Sequence, residues 1–469
     1  MKILVLHGSS GNLGDTAMLE GTVLTLLRNL PTAELFIIDQ PGLRTTIWKL
    51  PRVHKQSFPK FSFPYEYALA AVPYFWRYQQ QWRHALRGSL ALGIGRIFSP
   101  NSTRVPRFQA VEGPRTIKEL CDPFDGLYMV GGGYLTDTFP EFLVQACCIA
   151  QAFGQERKPI LLSGQQVGPF RSRILRALTG RLLRHARFVG LREPTRSVEL
   201  CRAFRLKPQS YQVTGDDSFG LPFASDAEVS AFLASHRLEP GKFIALNVRL
   251  GFYADEHKPH IRMIAQIGES LAHAFGFPIV AVPIAFNEVD SDDRSGEELL
   301  RLMTKAKRQR IDSRYLTPSL VGGFLGKAFG AVGISYHFCT FALSQGVPSV
   351  ALYDGEYYSQ KASGICKFWQ DDRLAISLQK VSAPGAVDHI AAFFRDSSQR
   401  RQLSERARSA IQNWHTVVDQ KIQENFGHCH SNGDPIKSER PESTAVRRAH
   451  GVTSPIAETD YHFSENRKE

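Results

Sequence analysis

Several features are missing from this 469-residue sequence, and each absence closes a class of function. The seven cysteines (Cys121, Cys147, Cys148, Cys201, Cys339, Cys366 and Cys429) form no C-x-x-C pair and are odd in number. That argues against a disulfide framework and for reduced thiols in a cytosolic setting. No run of 18 apolar residues occurs, so no membrane-spanning helix is expected. The opening MKILVLHGS lacks the longer apolar stretch and small-residue cleavage site of a secretory leader; a short strand meeting a turn is expected instead. His428-Cys429-His430 stands without further ligands, so no metal centre is expected.

What is there is an ordinary globular composition, 43% apolar and 22% charged, with a basic excess of +12. This excludes a wholly disordered chain and a collagen-like fibre. At about 150 residues per domain, the length allows two or three domains. The excess is regional. Residues 41–118 hold 13 Lys and Arg against two acids, residues 155–210 hold 13 against three, and the rest of the chain is net acidic. Such a pattern points to an anionic partner whose nature depends on where the charge sits.

Apolar runs predict strands at residues 2–6, 35–38, 126–130, 159–163, 188–191, 243–248, 279–282, 331–333 and 349–352, with helical periodicity between them, first at 15–30. The alternation implies parallel sheets in a doubly wound α/β architecture. A polar helix ending in Pro-Gly places a boundary within 221–242. The expected organisation is a first α/β domain over 1–225, interrupted by a basic aromatic insertion at about 41–118. A second domain follows over 240–385, then terminal helices over 386–426 and a polar, disordered tail over 427–469.

Chemistry-bearing residues gather where strands end. The turn containing Gly8, Gly11, Asn12, Gly14 and Asp15 is spaced G-x-x-G-x-x-G, not the dinucleotide G-x-G-x-x-G, although Asp39 sits where a ribose-binding acid would. No Gly-Lys-Ser/Thr follows, which excludes a Walker loop. What remains is a Gly-rich turn opening a helix, favourable to an anion; Asn12 and Asp15 either serve that site or only shape the turn, with Asp15 capping the helix. Gly131, Gly132 and Gly133 follow a strand and allow close backbone approach, with Asp137 beyond them as a proton acceptor or a cap. The segment 163–169, with Gln165, is expected as a third strand-end loop. Arg192 and Glu193 end another strand as an ion pair or part of a site, and Asp216 and Asp217 cap or line the cleft. In the second domain, Arg249 at a strand end suits a carboxylate or phosphate. Ser335, Tyr336 and His337 lead from a strand into a helix, with His337 facing the cleft and Lys361 following.

These motifs in this order resemble the polysaccharide pyruvyl transferase family over about residues 1–369, apart from the insertion. The resemblance rests on N-x-G-D (Asn12 to Asp15), GGG-x-x-x-D (Gly131 to Asp137), G-Q-x-x-G-P (Gly164 to Pro169), R-E (Arg192, Glu193), Arg249 and the His337…Gly346-Val347-Pro348 block with Lys361. It implies two Rossmann-like domains in a GT-B-like arrangement with an interdomain cleft. It also implies transfer of pyruvate from phosphoenolpyruvate to two hydroxyls of a sugar in a polysaccharide or lipid-linked oligosaccharide, with a ketal formed and phosphate released. Phosphoenolpyruvate is then a donor substrate, and no cofactor is expected. On the same basis His337 supplies a proton or stabilises departing phosphate, Arg249 and Lys361 clamp the donor, and Asp137 or Asp15 activates the acceptor. Asn12, Gly131, Gly132, Gly133, Gln165, Arg192, Ser335 and Tyr336 are the remaining binding residues. Some members carry Arg two residues before the His, where this chain has Ser335. Either Arg249, Lys361 or Tyr336 then carries more of the anion contact, or donor binding differs. The rival readings are a nucleotide-sugar glycosyltransferase of the same fold and a catalytically inactive glycan-binding relative.

The two basic blocks are then expected to serve different ends. Residues 155–210, beside the cleft, would concentrate an anionic donor. In 41–118, aromatic side chains interleave with Arg; this suits peripheral contact with an anionic membrane at its cytoplasmic face, or an aromatic-cored lid over the cleft. Neither block contains a recognisable nucleic-acid module, and no nucleic-acid partner is expected.

Overall fold

The computed structural model describes residues 1–8, 11–40, 43–57, 117–249, 258–286 and 291–427. The expected tail and most of the expected insertion lie outside the described residues.

The apolar runs assemble into two parallel sheets. The first contains β1 (Lys2–Leu6), β2 (Glu34–Ile38), β3 (Val53–Gln56), β4 (Gly126–Met129), β5 (Gly132–Leu135), β6 (Ile160–Val167), β7 (Phe188–Leu191) and β8 (Tyr211–Val213). Their order is β3-β2-β1-β4-β6-β7-β8, with β5 beside β6. The second contains β9 (Ile244–Asn247), β10 (Ile279–Ala281), β11 (Arg308–Arg310), β12 (Gly330–Gly333), β13 (Ser349–Tyr353) and β14 (Ala375–Ser377), in the order β11-β10-β9-β12-β13-β14. Central strands such as β4, β6 and β9 are buried along their whole length, as parallel strands covered by helices on both faces must be. Each sheet reverses its strand order once, between β1 and β4 and between β9 and β12. The loops leaving those strands open the crevice in which ligands bind to such sheets.

The structure departs from the sequence reading in several places. Part of the expected insertion belongs to the sheet, because Val53–Gln56 pairs in parallel with β2 as a short, polar edge strand. Strand β6 runs through Val167, so Gln165 lies inside a strand and not in a loop after it. The first helix begins at Leu13 and is capped by Asn12, not Asp15. The terminal helices, Ala383–Arg395 and Ser397–Phe426, touch both halves. Ser404 packs near Gly346 of the second half, while Trp414 and Phe426 are buried against the first. Among the described residues, no helix is long and apolar enough to cross a membrane.

Asp217 is the buried polar hub where the long terminal helix meets the first half. Its carboxylate accepts from the Gly131 N–H (2.7 Å), the Trp414 indole N–H (3.1 Å), the Thr22 hydroxyl (3.4 Å) and the Ser163 hydroxyl. Burial, offset only in part by these donors, pushes its carboxyl up to about 6. A raised folded-state pKa means that the folded chain holds a proton which the unfolded chain releases from about pH 4 upward. The stability associated with Asp217 therefore falls as pH rises from about 4 through 6. Asp217→Asn removes that titration. In urea unfolding at pH 4.5 and pH 7, the stability of the variant relative to wild type should improve at the higher pH, by up to about 2 kcal/mol. A difference that is the same at both pH values would show that Asp217 does not titrate in this window.

Candidate active site

The two reversal points face each other because the backbone joins them. Asn12 forms an antiparallel bridge with Ala285, the Leu13 N–H donates to the Ile284 carbonyl (2.9 Å), and the Phe286 N–H donates to the Gly11 carbonyl (2.8 Å). Asn12 also caps the helix Leu13–Asn29, accepting from the Gly14 N–H at 2.8 Å and the Asp15 N–H at 3.4 Å. On the opposite side, Asn247 at the end of β9 donates to the Val282 carbonyl and to Asp292, and accepts from the Ser335 N–H at 3.0 Å. Asp292 in turn accepts from the Ile284 and Ala285 N–H groups, fixing the segment that bridges to Asn12. Burial pushes the Asp292 carboxyl up to about 6, against the opposing pull of Arg249.

His337 sits in the first turn of the helix Tyr336–Ser344 and crosses to the other half, where its ring lies over Gly14. The N-x-G-D spacing therefore has a steric reason: a Cβ at residue 14 would lie 2.0 Å from the imidazole. Behind the ring is a buried pair that joins three strand-end segments. Arg192 Nε is 3.1 Å from Asp216 Oδ2, though off the hydrogen-bonding direction, and His337 Nε2 is 3.7 Å from the same oxygen, beyond hydrogen-bond length. Burial alone would raise the Asp216 carboxyl; Arg192 and then His337 outweigh it and hold the group well below the usual range. The Arg192 guanidinium also lies 4.4 Å from the centre of the Tyr336 ring.

A cavity of about 140 Å³ opens at this junction. Asn12, Asp15, Gly132, Gly133, Arg192, Arg249, Ser335, Tyr336, His337 and Lys361, all singled out from the sequence, line it together. The helices Leu13–Asn29, Tyr336–Ser344 and Gly355–Trp369 begin at its rim, so their partial positive ends join Arg249 and Lys361 in favouring an anion. Lys361 Nζ stands 4.2 Å from the Tyr357 ring centre.

Three expected residues do not reach the cavity. Asp137 is turned away, accepting the Ser172 N–H at 2.8 Å and the Arg171 N–H, and so fixes the turn before the helix Arg173–His185. Gln165 is fully buried in β6 and donates to the Val130 carbonyl (2.8 Å) and the Tyr134 hydroxyl (3.0 Å), pinning the loop after β4 from beneath. Gly131 spends its N–H on Asp217. Among the described residues Glu193 pairs with no Arg; it accepts from the Thr195 and Ser197 N–H groups at the start of the helix Arg196–Ala203. Of the 13 cations of the basic block 155–210, only Arg192 lines the cavity, and Asp216 lies against it.

Sequence reasoning missed the aromatic wall formed by Tyr134, Phe139, Phe142, Tyr357 and Tyr358. Phe139 and Tyr357 come from different halves, with ring centres 6.4 Å apart and nearly perpendicular. It also left Asp216 without a specific partner; the Gly-Asp-Asp run after a strand was the available signal.

The contrast between Gly14 and Gly133 is a direct check on this geometry. Gly14→Ala should cost about 1–3 kcal/mol, because the imidazole must move. Gly133→Ala, whose nearest neighbours would lie at 3.7 Å, should cost much less. Equal losses in denaturant melts would contradict the placement of His337.

The arrangement matches known proteins at two levels. The fold is that of the GT-B glycosyltransferases and epimerases. UDP-GlcNAc 2-epimerase from Neisseria meningitidis, bound to UDP-GlcNAc, superposes over 91% of this chain and 100% of its own at TM-score 0.53 and 12% identity. HepE from Anabaena, in complex with UDP, does so over 91% and 100% at 0.52 and 13%. The structure of S. aureus MnaA with UDP covers 93% and 100% at 0.53 and 11%. At such identities the likeness concerns the fold alone. The sequence is more specific: residues 12–355, from Asn12 through the His337 motif to the start of the Gly355–Trp369 helix, match the model of one family, and the chain belongs to the polysaccharide pyruvyl transferases.

Proposed function

We propose that the chain transfers pyruvate from phosphoenolpyruvate to two hydroxyls of one sugar in a polysaccharide or lipid-linked glycan. The observation that carries this reading is one small cavity around which helix N-termini from the two halves meet Arg249, His337 and Lys361 of the second half. A donor with both a carboxylate and a phosphate needs such a set of cations and backbone donors.

The chemistry is an addition followed by a substitution. A proton reaches the methylene carbon of the donor, which leaves C2 cationic. The first sugar hydroxyl attacks C2 and gives up its proton; the bond from C2 to the phosphate oxygen then breaks, and the second hydroxyl closes the ketal. Of the two hydroxyl protons, one balances the proton added at carbon and the other leaves on phosphate, so no redox partner is required. His337 supplies a proton to the methylene carbon or to the departing phosphate, with Asp216 placed behind it to stabilise the imidazolium. Arg249 and Lys361 hold the charged ends of the donor. Asp15, at the rim, takes the proton of the attacking hydroxyl; Asp137, spent on a turn, is withdrawn from that role.

Phosphate release from phosphoenolpyruvate, measured against a panel of free and lipid-linked glycans, tests the reading. Release should require the acceptor. His337→Ala should slow turnover at least about 100-fold. Arg249→Ala should raise the KM for phosphoenolpyruvate at least about tenfold. Wild-type turnover by both folded variants would overturn the assignment. Thermal protection by UDP but not by phosphoenolpyruvate would favour a nucleotide-sugar glycosyltransferase.

A further inference from the structure

Part of the basic block of residues 155–210 gathers on the outside of the first half where two of its helices meet. The helix Arg173–His185 buries Leu175, Thr179, Leu182 and Leu183, turns Arg173, Arg176 and Arg184 to solvent, and carries no acid. It packs on Phe204: Arg184 donates to the Phe204 carbonyl at 3.4 Å, and the Arg176 guanidinium lies 6.0 Å from the Phe204 ring centre. Phe204 directly follows the helix Arg196–Ala203, and Arg202, Arg205 and Lys207, all exposed, lie within three residues of that contact. The cations of this block that form ion pairs among the described residues are Arg171, Arg192 and Arg196, and none of these six. Glu199 is the one acid on the two helices.

The block also reaches the helix that forms part of the cavity wall. Arg171 and Arg196 reach Glu356 at 3.0 and 3.7 Å. Glu356 opens the helix that carries Tyr357 and Lys361 into the cavity wall.

We propose that this face is a track for the carboxylated stretch of the acceptor glycan. The inference rests on the pyruvyl-transfer reading, because each ketal leaves one free carboxylate and a chain already modified is a polyanion. Arginine forks suit carboxylates, taking them two N–H groups at a time. Arg173 to Arg184 spans about 16 Å of helix, long enough to follow several sugars. The large exposed apolar side chains among the described residues are Leu302 and Tyr315, both in the second half. The face therefore lacks the apolar anchor of a lipid interface and the aromatic platform that stacks single-stranded bases. Its consequence is retention: a partly modified chain stays beside the cleft between transfers.

The triple variant Arg173→Gln, Arg176→Gln, Arg202→Gln tests the track, since none of these residues lines the cavity or makes the Phe204 carbonyl bond. The full-length protein should bind polygalacturonate at low salt, and the variant should bind it at least about tenfold more weakly. In the transfer assay, kcat and KM for a short uncharged acceptor should be unchanged, while the KM for a long, partly pyruvylated chain should rise at least about tenfold. Equal polygalacturonate binding by variant and wild type would overturn the track. So would tighter wild-type binding to phosphatidylglycerol vesicles or duplex DNA than to polygalacturonate of matched charge. If the protein transfers no pyruvate but the variant still loses polygalacturonate binding, the transfer reading fails and the track stands.

Discussion

A parallel sheet leaves its carboxyl edge open to a ligand only where the strand order reverses, and this chain holds two such points against each other. The bridge between Asn12 and Ala285 is what fixes them face to face. That short seam sits at the centre of the cavity's geometry. It places the start of the Leu13–Asn29 helix against the start of the Tyr336–Ser344 helix, and it brings His337 onto Gly14. The seam is itself braced from the second half, where Asp292 and Asn247 bind the backbone of Ile284, Ala285 and Ser335. Polar side chains buried at a strand end serve here to hold loops at fixed spacing.

Charge is divided along the same line. Arg192 and Asp216 lie almost wholly inside the protein, where removing one partner of such a pair costs about 3–5 kcal/mol. Their charges largely cancel at a distance; close to, Arg192 sets the Tyr336 ring and Asp216 faces the back of His337. Arg249 and Lys361 are only half-buried and line the cavity directly. The net +12 of the chain thus contributes little to the cavity through its densest described block, most of whose cations face outward from the first half.

The positions of the buried strands, the two parallel sheets and most of the cavity lining were legible in the sequence, because buried parallel strands read as apolar runs and ligand-binding loops follow them. Short, polar strands such as β3, β8, β11 and β14 were not legible, since their residues face solvent in part and carry no apolar run. The aromatic wall escaped for a different reason. Phe139 and Tyr357 are far apart in sequence and belong to different halves, and only the seam between the halves makes them neighbours.

Gln165 and Asp137 show where strand-end motifs mislead. Their sequence context is the same as that of residues that do line the cavity: a strand, glycine, then a polar side chain. Direction separates them. In β6 the pairing with β7 shifts between Leu162 and Gln165, so that three steps along β6 answer two along β7. Gly164 absorbs this irregularity with φ of +52°, a left-handed conformation in which a Cβ would also meet Asp217 at 2.9 Å. One extra residue reverses the alternation of side chains, so Ser163 turns to Asp217 while Gln165 reaches across to β4 and β5. A motif scan sees the residue types but not that added step. The glycine that looks like a ligand-binding signal is at this position a bulge signal, and the polar residue after it supports the site from beneath without entering it.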